Sequence, residues 1–200
     1  VSGITTKEED VVNRVFMAST HDYVLCFTNK GRAYWLRVYD IPEGSRTAKG
    51  KAIVNLLNLT DEEVSAVIPL RNFDSDKYFL YATKQGRIGK FAQDLFSRPR
   101  SGGIIGMTLL EGDELVDVVE TDGKADIVLT TKFGQTLRFS EDEVRATGRG
   151  SQGVIGIRMK YDENGDTVCG LTLVDPEAKY LFLLTDKGYG KRTEFDEFMG

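Results

Sequence analysis

Residues 23–31 read YVLCFTNKG, an apolar run closed by Thr-x-x-Gly, and the pattern returns at 77–86 (KYFLYATKQG), 125–134 (ADIVLTTKFG) and 179–188 (KYLFLLTDKG). A fourfold internal copy decides the fold class, because self-similarity at a fixed period marks repeat architectures in which each unit is one supersecondary element. The closing glycines, Gly31, Gly86, Gly134 and Gly188, stand 55, 48 and 54 residues apart. That period leaves room for about four strands per unit. After each glycine a second strand-like run follows: RAYWLRV, RIGKFA, QTLRFS and YGKRT. Glycine between two such runs supplies the positive φ of a tight turn. A β-hairpin is therefore expected at the heart of every repeat.

Upstream of each hairpin lies an acidic turn and then an alternating, β-branched run: EEDVVNRVFMAS (8–19), DEEVSAVIPL (61–70), GDELVDVVET (112–121) and GDTVCGLTLV (165–174). Such alternation predicts a half-buried strand. Downstream come a short polar helix or turn, a basic glycine-containing loop and another apolar run expected as a strand: KAIVNLLNL (51–59), GIIGMTLL (103–110) and GVIGIRM (153–159). The unit reads strand, hairpin, loop, strand, with approximate repeats at 1–59, 60–110, 111–160 and 161–200, the last lacking its loop and closing strand. Radial stacking of such units gives an all-β, propeller-like disc of four-stranded blades, which protects most sheet edges. A β-sandwich is the alternative that a fourfold copy of one pattern disfavours.

Composition sets the outer bounds. Two hundred residues, 40% hydrophobic and 28% charged, can bury an ordinary core, and no run is apolar for long enough to span a membrane as a helix. The opening residues lack the pattern of a secretory signal, so the cytoplasm is the expected compartment. Cys26 and Cys169 lie in separate apolar runs without a Cys-x-x-Cys or Cys/His cluster, and buried free thiols are expected rather than a disulfide or metal site. The single histidine, His21, sits between apolar runs as a turn residue and leaves no material for a zinc triad or a histidine-based nucleophile. Neighbouring carboxylates, Asp113 with Glu114 and Asp142 with Glu143, would be the acid and base of a glycosidase, but adjacent acids in polar turns are ordinarily solvated charges. Trp35 is expected to pack in or beside the first hairpin.

A net charge of −5 argues against nucleic-acid binding only if the chain is averaged. Residues 28–51, 84–103, 132–160 and 187–193 hold 20 of the 26 Lys and Arg but 6 of the 31 acids. The same half of every repeat is thus basic, and radial symmetry would set these patches side by side as a positive band. Candidate phosphate contacts are Lys30, Arg32, Arg37, Arg46 and Lys49 in the first repeat, and Arg87, Lys90, Arg98 and Arg100 in the second. The third supplies Lys132, Arg138, Arg145 and Arg149, and the fourth Lys191 and Arg192. Gly50, Gly102, Gly103, Gly148, Gly150 and Gly153 would let loop backbone approach a phosphate, or serve turn geometry alone. No recognition helix or zinc finger is evident, so base readout is not indicated.

The stretches ASTHDYVLCFTNKGRAYWLRVYDIP, AKGKAIVNLL, GDELVDV and FSEDEVRATGRGSQGVIGIR closely resemble the C-terminal region of bacterial DNA gyrase A, and the resemblance extends over essentially the whole chain. It implies a β-pinwheel, six-bladed in the family, of which about four blades are visible here. It also implies an outer positive surface that wraps double-stranded DNA without chemistry of its own, supporting ATP-dependent negative supercoiling by the whole topoisomerase. The implied partners are DNA, the N-terminal region of gyrase A, and gyrase B, in the bacterial cytoplasm on the chromosome. ATP and Mg belong to other regions, no cofactor or metal is implied in this stretch, and none of the eight tyrosines takes the cleavage role. The family's basic heptapeptide, Q-R-R-G-G-x-G, is absent, while VSGITT resembles the sequence that follows it. Looser cousins stand at SRTAKGK (45–51), SRPRSGG (97–103) and RATGRGSQG (145–153). The corresponding domain in the C protein of topoisomerase IV is the alternative within the family. Outside it, the alternative is a propeller used as a protein-interaction module, which would cluster aromatics rather than Arg and Gly in its exposed loops.

Overall fold

Each Thr-x-x-Gly builds its own hairpin turn. The glycine N–H donates to the threonine carbonyl at 2.9 Å (Gly31 to Thr28), 3.0 Å (Gly86 to Thr83), 2.9 Å (Gly134 to Thr131) and 3.0 Å (Gly188 to Thr185). The threonine Oγ1 then accepts the N–H of the residue after the glycine, Arg32, Arg87, Gln135 and Tyr189, at 3.1–3.2 Å. The glycines take φ of +78°, +84°, +90° and +82°, the left-handed position that ends a three-residue hairpin loop. Threonine is thus selected for its hydroxyl as much as for its β-branch.

This computed structural model describes residues 14–45, 47–74, 76–159 and 165–198. The strands are β1 (Tyr23–Thr28), β2 (Arg32–Arg37), β3 (Val64–Leu70), β4 (Tyr78–Thr83), β5 (Arg87–Ala92), β6 (Ile104–Ile105) and β7 (Leu115–Thr121). They continue with β8 (Asp126–Thr131), β9 (Thr136–Ser140), β10 (Ala146–Thr147), β11 (Val154–Ile155), β12 (Val168–Leu173), β13 (Tyr180–Leu184) and β14 (Gly190–Glu194). One helix, α1 (Ile53–Leu57), lies between β2 and β3, and 3-10 turns at Val38–Asp40, Gln93–Phe96, Glu141–Glu143 and Phe195–Phe198 follow the four hairpins.

Among the described residues four sheets result, ordered β3-β1-β2-β6, β7-β4-β5-β10 with β11 also on β5, β12-β8-β9, and β13-β14. The upstream runs at 61–70, 112–121 and 165–174 do form strands, but each pairs back onto the hairpin before it: β3 on β1, β7 on β4 and β12 on β8. The short strands β6, β10 and β11 are given to the outer edge of the preceding sheet, β6 to β2 and the other two to β5. A sheet is therefore assembled from two sequence periods. All three inner pairings shift register at the same place in the repeat, at Phe27/Thr28, Ala82/Thr83 and Val168/Gly170, beside the acidic turn.

Alternation sends one side chain of each pair to either neighbour. Leu25, Phe27 and Ala33 of the first sheet meet Phe79, Tyr81, Phe91 and Phe96 of the second. Within that layer the rings of Phe27, Phe79 and Phe96 stand edge to face with centroids 5.3–5.7 Å apart. Leu80, Ala82 and Ile88 face the third sheet at Ile127, Leu129 and Val144, and Val128 meets Leu181 and Phe195 of the fourth. The core is thus a series of layers between successive blades, as a radial stack requires.

Three expectations change. KAIVNLLNL contributes no strand: Ile53, Leu56 and Leu57 share one face of α1 and pack with Val24, Cys26, Tyr34 and Leu36 on the first blade's other face, because apolar residues three and four apart suit a helix. Residues 14–19 of the first upstream run form no strand, and Val15 and Met17 are exposed; alternation without a neighbouring edge to bond is insufficient. The part of that run at 8–13 lies outside the described residues. Cys26 is a buried free thiol as expected, but Cys169 is exposed, turned outward at the register shift between Val168 and Gly170.

Candidate nucleic-acid interface

The basic loops leave the 3-10 turns and run to the outer edge of the preceding blade. The loop at 97–103 ends where Gly103, at φ +67°, lies so close to Ala33 and Tyr34 that an added Cβ would sit 2.6 Å from the Tyr34 ring. At the end of the loop at 145–153, Gly153 takes the same φ against Ile88 and Tyr81. A strap follows each glycine. Gly106 and Met107 both donate their N–H to Gly31 O at 2.9 and 3.1 Å, and Gly156 and Ile157 repeat the pair on Gly86 O at 2.9 and 3.1 Å. Gly103 and Gly153 are consumed by packing, whereas Gly50, Gly102, Gly148 and Gly150 have open space where a side chain would stand.

Polar bonds hold the straps and loops. Arg32 Nη2 donates to Gly102 O at 2.6 Å, while Arg87 donates from Nε to Gln152 O at 2.8 Å and from Nη2 to Gly153 O at 2.6 Å. Tyr81 donates to Ser151 O at 3.3 Å, and its burial pushes the hydroxyl pKa up, which keeps the proton on the donor. The loop of the third repeat is also bonded to the strap of the second: Gly150 N–H to Gly106 O at 2.8 Å, and Thr108 N–H to Ser151 O at 3.1 Å. Loops and straps form one connected belt along the outer edges.

A second crossing sits four residues after the turn glycine. Trp35 Nε1 donates to Phe96 O at 2.9 Å and Lys90 Nζ to Glu141 O at 3.0 Å. Arg138 lies over the Phe195 ring at 5.5 Å and 3.9 Å from Asp196. Each joins its blade to the 3-10 turn of the next. Glu141, fully buried, accepts from the Thr121 hydroxyl and from Ala125 N–H at 2.6 Å.

These bonds divide the candidate set. Lys90 is withdrawn from the phosphate contacts, because its ammonium is buried against Glu141 and pointed into the blade junction. Arg138 is half-buried and bound twice to Asp126 Oδ2, at 3.0 and 2.8 Å. Arg32 and Arg87 are engaged with loop carbonyls, and Arg32 also faces Glu62 at 3.6 Å. Exposed at the surface are Lys30, Arg37, Lys49, Arg98, Arg100, Lys132, Arg145, Arg149, Lys191 and Arg192. Arg37 lies over Tyr23, Arg192 over Tyr180, and Arg149 Nη1 reaches Ile105 O at 3.4 Å. Arg46 lies outside the described residues. Ion pairs among the described residues fall elsewhere, as in Lys84–Glu114 and Lys77–Glu120, both at 2.6 Å, so Arg98, Arg100 and Arg145 keep an unneutralised charge.

Of the carboxylate pairs, Asp113 has structural work and Glu114 pairs with Lys84, while Asp142 and Glu143 are exposed side chains of a polar turn. Asp113 Oδ1 accepts N–H bonds from Gln85 and Glu114 at 2.9 Å, and Asp166 Oδ1 does the same for Phe133 and Thr167 at 3.0 and 2.9 Å. Each acidic turn thereby caps the hairpin turn it touches. No group of His, Cys, Asp and Glu suited to a metal ion occurs among the described residues.

A family model described as the DNA gyrase C-terminal domain, a β-propeller, matches residues 22–71, 77–122, 125–175 and 179–199. The chain belongs to the DNA gyrase C-terminal domain family. Each matched segment begins at a hairpin and the first three end with the inner strand that returns to it, the division that the sheets show. The DNA gyrase A protein of Salmonella typhimurium is 44% identical over 198 residues, which is 98% of this chain and 22% of that protein. Its counterpart in Mycolicibacterium smegmatis is 40% identical over 201 residues, covering 99% and 23%. The chain therefore spans less than a quarter of these relatives' length. Among solved structures, the C-terminal domain of DNA topoisomerase IV superposes with a TM-score of 0.79 at 30% identity, over 89% of this chain and 55% of that one. A DNA gyrase A C-terminal domain gives 0.75 at 26% identity, over 99% and 66%. The fold of this gyrase C-terminal domain is accordingly the all-β blade arrangement expected from the repeat.

Proposed function

We propose that the belt of basic loops binds duplex DNA through its phosphates, with little regard to sequence, and bends it around successive blades. The observation that carries this reading is the recurrence of exposed arginines without ion pairs among the described residues, Arg98 and Arg100 in one loop and Arg145 and Arg149 in the next, at the same place in the repeat. Lys30, Arg37, Lys49, Lys132, Lys191 and Arg192 extend the positive surface. Loops on consecutive blades present phosphate ligands along a curve, so contact with all of them requires a bent duplex, and DNA deformability supplies what selectivity there is. Open backbone at Gly102 and Gly148 leaves room for a phosphate to approach.

In the intact protein the bent segment would be presented to the rest of a type II topoisomerase, with gyrase B and the N-terminal region of gyrase A as partners. Strand passage there would introduce negative supercoils at the expense of ATP, in the bacterial cytoplasm on the chromosome. This domain contributes binding and geometry, and the isomerase chemistry belongs elsewhere in the enzyme.

The test is titration of the chain against a labelled duplex of about 40 base pairs across a salt series, beside a variant with Arg98, Arg100, Arg145 and Arg149 reversed to Glu. Neutralising about eight phosphates gives a log–log salt slope near −7, and the variant should lose binding. Equal binding by the variant would refute the loops as the DNA path.

A further inference from the structure

Two arginines that a sequence assigns to phosphate are spent on the protein itself, at equivalent positions. Arg32 and Arg87 each directly follow a turn glycine, and each reaches out to carbonyls of the basic loop that arrives from the following repeat: Gly102 O for the first, Gln152 O and Gly153 O for the second. The third hairpin has Gln135 at this position, and its Nε2 donates to Arg158 O at 2.9 Å. The first two hairpins thus place a side-chain donor on the backbone of the next repeat's loop, whereas Gln135 bonds the strap end of its own repeat.

We infer that Arg32 and Arg87 are positioning residues for DNA binding, fixing the loops at 97–103 and 145–153 so that Arg98, Arg100, Arg145 and Arg149 face outward from a fixed backbone. The inference rests on the basic-loop reading above. A guanidinium presents its donors in a rigid fork that suits two neighbouring carbonyls, which an ammonium cannot reproduce. Arg87 uses Nε and Nη2 in this way, and Arg32 divides the same two nitrogens between Tyr34 Oη at 3.0 Å and Gly102 O at 2.6 Å. Fixing the loop before DNA arrives removes the ordering entropy that binding would otherwise oppose. The belt bonds from Gly150 to Gly106 and from Thr108 to Ser151 carry the effect along the rim. A loop's affinity for DNA then depends on the blade before it as well as on its own arginines.

The experiment compares Arg87→Lys and Arg87→Met with the unaltered chain, in both the native and the Arg145→Ala/Arg149→Ala backgrounds. It reads duplex affinity, salt slope and the amide exchange of residues 148–153 without DNA. Both single variants should weaken binding roughly tenfold, equivalent to about 1.4 kcal/mol, and speed exchange at Ser151–Gly153. Neither should weaken binding further once Arg145 and Arg149 are gone. Binding of Arg87→Lys at the native level, or an additive loss in the second background, would make Arg87 a phosphate ligand and overturn the inference. Should the unaltered chain bind no duplex, the DNA reading fails separately, and exchange decides the latch alone: unchanged exchange at Ser151–Gly153 in Arg87→Met overturns it, and faster exchange sustains it.

Discussion

Alanine at Gly86 and at Gly134 separates two costs that coincide in every repeat. Both glycines have positive φ, +84° and +90°, so either substitution forces an L side chain into the left-handed region for about 1–2 kcal/mol. At Gly134 nothing lies within 4 Å of the new Cβ, whereas at Gly86 it would sit 2.5 Å from Ile157 O and 3.1 Å from Ile157 Cγ2. The strap must therefore move off the turn in Gly86→Ala. That strains or breaks the Gly156 and Ile157 N–H bonds to Gly86 O, each worth about 0.5–1.5 kcal/mol. It also uncovers part of the buried Ile157 side chain, whose full burial is worth about 1.5–3 kcal/mol. Gly86→Ala should thus cost about 3–5 kcal/mol and Gly134→Ala about 1–2 kcal/mol. For a chain of this size the melting temperature should fall by roughly 2–4 °C per kcal/mol. Urea denaturation followed by circular dichroism, with calorimetry in parallel, measures both. Equal losses for the two variants would refute the argument that the strap locks onto the turn glycine.

Glu141→Gln leaves the buried Lys90 ammonium without its counter-charge and should cost about 3–5 kcal/mol, while Lys90→Met should leave duplex affinity and its salt slope untouched; a reduced slope would return Lys90 to the DNA surface. Phe96→Ala empties a ring site between Phe27 and Phe79 at about 3–5 kcal/mol. Because Trp35 packs against the same cluster of buried rings, its emission should shift red as the cavity opens beside it, and an unchanged spectrum would mean that the indole does not depend on this packing. Burial pushes the Cys26 thiol up to about 12, whereas Cys169 is exposed, with a pKa raised by partial burial and then by Asp166. A thiol with a raised pKa gains its reactive thiolate only as pH rises through that value. A disulfide reagent at about pH 8 should therefore modify only Cys169 in the native protein and both thiols in denaturant; two fast native thiols would contradict the burial of Cys26.

The repeat, the four hairpins and the positive glycine φ were legible in the sequence because they are local. Threonine, two turn residues and glycine close their own hydrogen bonds, and alternation assigns each flanking residue a face. The phase of charge was legible too, since each basic loop is contiguous. Tertiary structure alone decided which hairpin received each further strand: β3, β7 and β12 fold back, while β6, β10 and β11 cross to the preceding sheet, and periodicity carries no information about partners. It also decided which cations face solvent. Lys90 lies on the same face of β5 as the core residue Ile88, a two-residue spacing that signals an inward side chain, yet it takes the carboxylate and carbonyl of Glu141 and the ring of Tyr78 to explain how a buried ammonium is tolerated. The sequence marks Arg32 and Arg87 only by their place after a turn glycine, and Arg98 and Arg145 by their place in the loops, without saying which are held by protein. What separates them is a carbonyl from the following repeat, brought within about 3 Å by chain returning from more than 60 residues away.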